Sequence, residues 1–289
     1  MPNAITLAQQ FVPLLDETYQ LASLTADLDG NADLVRQGAN ANELIIPMLS
    51  MQGLGDYSRN DGYVKGDVTL TNETVKCNFD RGRRFDVDVM DDLETAGLAF
   101  GRLSAQFIRD KVVPELDAFR FASYCGISGV TKKEETLADG AATVAALSAA
   151  VTAMDDEEVT ATGRYLFITP TLLGLVQDMD TTKSREVMQN FAKVVKVPQS
   201  RFYTAIEQKS GKTGEEAGGY AKAEGGKDIN FMILHKPALI QFSKHIAPKI
   251  IEPGANQDGD AYKFGYRQVA IADVYKNKVA GIYLHHKAT

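Results

Sequence analysis

The chain has 289 residues, 44% of them hydrophobic and 24% charged, a composition typical of a globular protein that buries a real core. Its net charge of −7 disfavours a protein whose main task is to grip a nucleic-acid backbone, because such proteins usually carry a basic excess. The sequence has no apolar run near the ~18 residues of a membrane span, no secretory signal and only two cysteines, so we expect reduced thiols in a cytoplasm.

The first 45 residues predict an extended arm that carries a short helix. Residues 6–23 have roughly helical apolar spacing, which Pro13 interrupts. A polar stretch rich in glycine and asparagine follows, and then the short apolar strand ELIIPML.

Residues 63–89 predict a long hairpin. Their second half alternates without slipping, which is the period of a strand with one apolar and one polar face. The apolar residues at the odd positions are Val75, Cys77, Phe79, Phe85, Val87 and Val89. Residues 71–74, Thr-Asn-Glu-Thr, are the best candidate turn between the two strands, and Gly82 is a candidate bulge or bend.

A long helix is predicted from about residue 92 to residue 124. Asp91 resembles its N-cap, because Glu94 follows three residues later. Apolar residues recur at helical spacing from Leu93 to Phe119, and Pro114 should kink or split the helix.

From about residue 126 the sequence has the texture of an α/β protein. We expect a helix over residues 141–154, a buried strand over 164–169, a helix over 170–177 and a buried strand over 229–234. Residues 208–228 are rich in Gly, Lys and Glu, which indicates a mobile loop. Further strands are predicted over residues 245–251, 268–271 and 279–284.

The motifs that carry chemistry are weak. Ser210-Gly211-Lys212-Thr213 has the end of a phosphate-binding loop, but Ile206 stands where that loop requires a glycine. Asn256, Asp258 and Asp260 have the first spacings of a calcium loop, and the remainder of that loop is absent. A solvated turn is the favoured interpretation of both.

Neither the acidic residues nor the histidines predict a site. Ion pairing and helix capping account for the cluster Asp86, Asp88, Asp91, Asp92 and Glu94. The four histidines, His235, His245, His285 and His286, do not have the spacing of zinc ligands. We therefore predict no enzyme, no catalytic residue, no cofactor and no metal.

The predicted hairpin implies a partner. A lone two-stranded ribbon is marginal in water, and its free edges invite pairing with another chain. Because the preceding arm is also extended and polar, a neighbouring copy of the same protein is the simplest cover for the apolar face.

The order of these parts resembles the major capsid proteins of tailed bacteriophages with the Hong Kong 97-type fold. The stretches that carry the resemblance are ITLAQQFVPLLDETY, GLGDYSRNDGYVKGDVTLTNETVKCNFDRGRRFDVDVMDDLETAGLAFGRL, KVVPELDAFRFA and DGDAYKFGYRQVAIADVYKNKVAGIYLHHK. The resemblance implies an α+β fold. Its parts would be an N-arm (1–45), an E-loop hairpin with flanking strands (46–91), a spine helix of the peripheral domain (92–126), an axial α/β domain (127–240), and the return strands and loop of the peripheral domain (241–289).

The resemblance also implies the function and the partners. Copies of the chain would form hexamers and pentamers of an icosahedral shell around double-stranded DNA, assembled in the host bacterial cytoplasm. A separate scaffolding protein is expected, because the chain starts directly at the arm, unless the sequence is a processed form. A portal protein and non-specific contact with packaged DNA are expected too, and a membrane is not. The residues predicted to make polar inter-subunit or hairpin-base contacts are Arg81, Arg83, Arg84, Asp86 and Asp88.

Three alternatives stay open at this point. An encapsulin-type compartment would share the fold and carry protein cargo. A hydrolase or nucleotide-binding enzyme would be a small oligomer, and a tail or surface-layer protein would form tubes or sheets. Lysine–asparagine cross-linking, known in some capsids, is not carried over, because no motif aligns Lys65, Lys76 or Asn256 with that chemistry.

Overall fold

The computed structural model describes residues 22–30, 36–37, 43–60, 62–90 and 98–288. The strands are β1 (Arg36–Gln37), β2 (Glu43–Met51), β3 (Val68–Lys76), β4 (Phe79–Asp88), β5 (Thr131–Glu134), β6 (Arg164–Ile168), β7 (Lys193–Lys196), β8 (Ile206–Gln208), β9 (Tyr220–Lys222), β10 (Ile229–His235), β11 (Leu239–Ile251), β12 (Ala261–Val274) and β13 (Ile282–His286). The helices are α1 (Leu98–Phe107), a π-helical segment (Ile108–Val112), α2 (Val113–Gly126), α3 (Gly140–Asp156), α4 (Pro170–Met179) and α5 (Thr182–Gln189). Short 3₁₀ turns cover Ala26–Leu28, Gln199–Arg201, Lys236–Ala238, Pro253–Ala255 and Lys276–Gly281.

A hairpin exists, but its strands are β2 and β3. They pair antiparallel from Glu43↔Lys76 to Met51↔Val68, and β1 adds two residues at the other edge of β2. The prediction of a turn at residues 71–74 is wrong, because β3 runs through them and Thr74 pairs with Ile45. Threonine favours extended backbone, and the chain reverses instead in the glycine-rich residues 52–67, where Gly62 has a φ of +77°. We call residues 43–76 the arm and residues 52–67 its tip.

Strand β4 belongs to a different sheet from β3. It pairs antiparallel with β12 in the order β11-β12-β4, so the hairpin predicted within residues 63–89 is wrong. The alternation is correct, since Phe79 is buried, Phe85 and Val87 are half-buried, and Asp86 and Asp88 are exposed. Gly82 marks no bulge in this ladder. A Cβ there would lie 2.7 Å from the Tyr266 carbonyl oxygen, so glycine permits the close approach of the two strands.

The predicted long helix is present from residue 98 onward. Pro114 produces a π-helical segment of five residues directly before α2, where the missing N–H and the bulky ring would otherwise break the helix. Ile108, Val113 and Leu116 from this region are buried against Phe79 and Phe264 of the β11-β12-β4 sheet. The predicted helix start at Asp91 and Glu94 lies outside the described residues, as do residues 6–21 of the helical stretch predicted over residues 6–23.

A third sheet has five strands in the order β5-β13-β10-β6-β7. One face packs on helices α3, α4 and α5, and the other packs on Phe121 and Tyr124 of α2. These elements confirm the predicted helices and strands between residues 141 and 234, and Asp139 caps α3 by accepting a hydrogen bond from the Ala142 N–H at 2.7 Å.

The last strand, β13, lies in the five-stranded sheet between β5 and β10. The reason is its sequence, Ile-Tyr-Leu-His-His, in which all five side chains are buried, as a strand covered on both faces requires. Within the ranges described, no helix is long and apolar enough to cross a membrane.

Candidate assembly surfaces

The arm carries most of the large apolar side chains that the described residues expose. Their exposed fractions are Met51 66%, Leu54 108%, Tyr57 61%, Tyr63 88%, Val64 69%, Val68 68% and Leu70 65%. The rings of Tyr57 and Tyr63 contact each other in the tip, with centroids 5.0 Å apart. Scattered apolar residues on a surface are ordinary, but seven of them on one thin ribbon form a patch of the kind that binds another protein.

Among the side chains that the structure describes, those of the ribbon have little core behind them. Its three-stranded sheet is separate from the other sheets, and the described side chain that joins a core cluster is Val75 at the base, which packs on Ile240 and Ile271. An isolated ribbon of this size gains little from its own packing. The described part of the chain thus leaves the outer half of the arm without a core to pack on.

A buried polar network attaches the segment of residues 22–30 to the body of the protein. Asp117, fully buried in α2, accepts hydrogen bonds from the Thr25 hydroxyl at 2.6 Å, the Ser23 hydroxyl at 3.0 Å and the Leu24 N–H at 3.0 Å. Arg120, one helical turn away, donates to the Thr25 hydroxyl at 2.7 Å and to the Asp29 carboxylate at 3.0 Å. Buried charges are stable only when they are paired and hydrogen-bonded in this way.

Gln241 of β11 completes the network from the other side. Its side-chain N–H donates to the Thr25 carbonyl and to the Asp29 carboxylate, both at 2.7 Å. Its side-chain oxygen accepts a hydrogen bond from the Tyr124 hydroxyl at 2.7 Å, and burial raises the pKa of that phenol far above its usual value. These residues were not predicted from the sequence. Their only signal was the charge of Asp117 and Arg120 among the apolar residues of a helix that also carries Glu115.

The predicted contact residues Arg81 and Arg83 reach a loop of the same chain. Arg81 donates to the Lys209 carbonyl at 2.7 Å and the Gly219 carbonyl at 3.3 Å. It also forms an ion pair with Glu115 of α2, with 2.8 Å between Nε and Oε1. Burial raises the pKa of the Glu115 carboxyl, and the Arg81 guanidinium opposes this shift. Arg83 donates to the Glu216 carbonyl at 2.7 Å and the Ala217 carbonyl at 3.3 Å.

The other three predicted residues lie on the polar face of β4. Arg84 and Asp86 form an exposed ion pair at 3.2 Å, and the Asp88 carboxylate accepts a hydrogen bond from the Met90 N–H at 2.9 Å. The structure therefore divides the five predicted contact residues between the two faces of one strand. Their role between subunits stays a prediction.

The Ser-Gly-Lys-Thr loop does not present its N–H groups to a phosphate. The Glu215 carboxylate accepts hydrogen bonds from the Ser210 N–H at 2.7 Å and from the Ser210 hydroxyl at 2.6 Å. The Glu216 carboxylate accepts one from the Gly214 N–H at 2.8 Å. These bonds lower the pKa of both carboxyl groups. The chain's own carboxylates thus already bind the N–H groups of Ser210 and Gly214.

The candidate calcium loop is closed by its own side chains. The Asn256 amide donates to the Ala261 carbonyl at 2.9 Å, and its oxygen accepts from the Asp258 N–H at 3.1 Å. Asp258 forms an ion pair with Lys263 at 2.5 Å. Among the described residues there is no group of three or more acidic, histidine or cysteine side chains that could hold a metal ion.

Comparison with known proteins identifies the fold. No protein-family model matches the chain, and no curated protein sequence does. A solved structure from Gordonia phage Cozz matches with a TM-score of 0.59 and 12% identity over 92% of this chain and 87% of that chain. The capsid of cyanophage P-SCSP1u matches at 0.56 and 12%, over 88% and 86%. A virus-like particle from Pyrococcus furiosus matches at 0.55 and 9%, over 93% and 98%. At these identities the likeness shows the fold, and the predicted α+β capsid fold is confirmed.

Proposed function

We propose that this chain, which has the capsid fold of tailed bacteriophages, is the major subunit of a closed protein shell. The observation that carries the proposal is the arm, which exposes seven large apolar side chains on a ribbon that the described part of the chain leaves uncovered. Such a surface is stable in water when a second molecule covers it. The fold supports a second copy as that molecule, because capsids are built from many copies of one chain.

The contact is heterologous, since the ribbon and whatever receives it are different parts of the molecule. Heterologous contacts close into rings when their rotation permits, and rings then join into larger assemblies. Many weak contacts of this kind hold a shell that a single pair of subunits could not maintain. The tyrosines of the tip, Tyr57 and Tyr63, are residue types that often dominate binding energy at interfaces.

The parts of the fold take the following roles in this proposal. The arm is the E-loop, the helical run from Leu98 to Gly126 is the spine helix, and the β11-β12-β4 sheet is the core of the peripheral domain. The five-stranded sheet with its helices is the axial domain and includes β13. Residues 1–45 are the N-arm, which overlaps the start of β2 at residues 43–45. The buried network of Asp117, Arg120 and Gln241 fixes where the N-arm meets the body of the protein.

The proposal also covers the assembly of the shell and its contents. The shell consists of hexamers and pentamers, assembles in the bacterial cytoplasm with a scaffolding protein and a portal protein, and encloses double-stranded DNA. An acidic chain suits this task, because a strongly basic wall would hold the packaged genome. The exposed β4 residues Arg84, Asp86 and Asp88 face neighbouring copies, and Arg81 and Arg83 contribute to the same surface through the loop residues 209–219 that they bind.

Electron microscopy of the overexpressed protein, with and without a co-expressed scaffolding protein, tests the proposal. We expect closed, roughly spherical particles. Tubes or flat sheets would favour a tail or surface-layer protein. A small soluble oligomer under both conditions that binds nucleotide would favour an enzyme and overturn the proposal.

A protein-filled compartment is the second candidate function. It is favoured by one observation, the match of 93% of the chain to a virus-like particle from Pyrococcus furiosus. Nuclease-protected DNA and a portal in particles purified from the natural source would support the viral shell. Particles that contain a defined protein and no DNA would support the compartment.

A further inference from the structure

The β8–β9 hairpin lies beside a large groove and is attached to β4 through two arginines. The groove has a volume of about 1100 Å³ and lies between β4, the long helix and residues 209–222. Its walls include the aromatic side chains of Phe79 and Phe85 from β4, Phe107 from α1, Tyr220 from β9 and Tyr203 from the segment before β8. Residues 209–219, which form one wall, have the sequence KSGKTGEEAGG and contain a single apolar side chain, Ala217.

These residues form a preorganised unit. The Lys209 N–H donates to the Gly219 carbonyl at 2.9 Å and closes the base of the loop. Inside it, the Glu215 N–H donates to the Lys212 carbonyl and the Gly218 N–H to the Glu215 carbonyl, both at 2.8 Å. The Ser210–Glu215 hydrogen bonds add to this closure. The loop can therefore move as one body without losing its own hydrogen bonds.

Two arginines of β4 attach the loop to this strand by donating hydrogen bonds to its main-chain carbonyls. Arg81 binds both residues that close the base of the loop, since it donates to the Lys209 and the Gly219 carbonyls. Arg83 donates to the tip of the loop at Glu216 and Ala217. Because Arg81 is also paired with Glu115, its position is fixed from α2, whereas Arg83 is exposed.

The loop is shaped to receive Arg83. Gly218 has a φ of +61°, and a Cβ at this residue would lie 2.7 Å from Nη1 of Arg83. Gly211 has a φ of +73°, and its Cβ would lie 3.5 Å from the same atom. Gly214, on the other hand, has a φ of +90°, and a Cβ on this residue would meet no atom within 4 Å. Two glycines thus make a cradle for the guanidinium, and the third serves only the turn.

We propose that residues 209–219 are a strap that Arg81 and Arg83 hold shut against β4, and that the strap releases as a unit to open one wall of the groove. We call Arg81 and Arg83 the clasp, because they connect β4 to the β8–β9 hairpin. Arg81 is its fixed contact, since Glu115 also holds it, and Arg83 is the contact that breaks when the strap opens. The clasp is a property of the single chain and does not depend on shell formation.

Hydrogen–deuterium exchange of the unassembled chain, followed on peptides that cover residues 206–222, tests the clasp. Arg83→Ala is expected to raise exchange in this segment roughly two- to tenfold, which corresponds to the loss of one or two hydrogen bonds. Arg84→Ala is the matched control, because Arg84 is the next residue of the strand and pairs only with Asp86 among the contacts described for it. It is expected to leave exchange in the strap unchanged.

A second pair of variants separates the clasp from loss of charge. Gly218→Ala keeps Arg83 and fills its cradle, and it is expected to raise exchange in the strap as Arg83→Ala does. Gly214→Ala imposes a positive φ on alanine without approaching Arg83, so any rise caused by backbone strain alone appears there too. The proposal is overturned if the strap exchanges in Arg83→Ala and Gly218→Ala at the wild-type rate. It is also overturned if the strap exchanges as fast in the controls Arg84→Ala and Gly214→Ala as in Arg83→Ala and Gly218→Ala.

Discussion

The Arg120 guanidinium and the Asp29 carboxylate lie 3.0 Å apart although 91 positions separate them in the sequence. Arg120 is fully buried, and Asp29 is partly exposed at the end of the segment that Asp117 and Gln241 also bind. Arg120, in the second half of the long helix, therefore fixes the attachment of residues 22–30 to the body together with Asp117 and Gln241. This attachment and the exposed arm are the two features on which assembly depends in our account.

Arg120→Ala is expected to lower the free energy of unfolding by about 3 kcal/mol or more. The substitution removes the buried guanidinium that donates to the Thr25 hydroxyl and to the Asp29 carboxylate, and it leaves a cavity in its place. Hydrogen bonds to charged groups contribute about 1.5–3 kcal/mol each. Urea unfolding measures the effect. Arg185→Ala is the control, because its ion pair with Asp180 at 2.6 Å is exposed and contributes at most about 1 kcal/mol. Equal losses for both variants would contradict the assigned role of Arg120.

The double variant Tyr57→Ser/Tyr63→Ser is expected to abolish particles while the chain stays folded. Both rings are exposed in the single chain, so their loss removes little from its own core. Circular dichroism and urea unfolding check the fold, and electron microscopy counts the particles. Met179→Ser, which removes an apolar side chain that is 38% exposed in α4, is the control and should assemble normally. Normal assembly of the tyrosine variant would count against the arm as the main contact.

Gly82→Ala is expected to destabilise the chain by about 1–3 kcal/mol, the usual cost of forcing extra volume into close packing. Its Cβ would lie 2.7 Å from the Tyr266 carbonyl oxygen, so β4 must move away from β12. Gly265→Ala is the matched control in the same ladder, because its nearest neighbour would be 3.8 Å away. Thermal unfolding of both variants measures the difference. A control as unstable as Gly82→Ala would contradict the close approach at Gly82.

Stability should fall as the pH drops from about 6.5 towards 4, with a contribution from His285. Burial lowers the pKa of this imidazole to about 4, although the nearby Glu135 carboxylate opposes the shift. In this pH range the unfolded chain binds the proton and the folded chain does not, so His285 stabilises the fold above pH 6.5 and loses that effect as the pH falls. The slope from one proton is about 1.4 kcal/mol per pH unit at most.

His285→Gln is the variant that isolates this contribution. Urea unfolding at pH 7.5, 6 and 5 should give a shallower decline for the variant than for the wild type, because the carboxylates titrate alike in both. Two parallel curves would show that His285 does not titrate differently in the folded and unfolded chains.

Local pattern predicted much of the fold, because the strongest patterns here are short-range. The alternation of β4, the spacing of the long helix and the apolar runs of β6 and β10 each depend on a few neighbouring residues, and the structure contains all four elements. Which strands pair with each other could not be predicted from local pattern. Strand β4 pairs with β12 and not with β3, and the close approach of Gly82 to Tyr266 in this ladder joins residues 184 positions apart.

The prediction of a turn at residues 71–74 was wrong for a related reason. Asn and Glu among threonines resemble a turn locally, but the tip residues, with four glycines between positions 53 and 66, reverse the chain more easily. The polar network around Asp117 could not be predicted at all, because its members come from three distant parts of the chain. The sequence did predict that an exposed ribbon would need a partner, although it assigned that ribbon to the wrong pair of strands.

The central claim is that the arm of one copy lies on another copy in a closed shell. Cryo-electron microscopy of purified particles, at a resolution that shows side chains, tests it most directly. We predict closed particles in which Tyr57 and Tyr63 are buried against a neighbouring copy. A protein that stays as one or two copies, with the arm folded back and covered by its own chain, would contradict the claim.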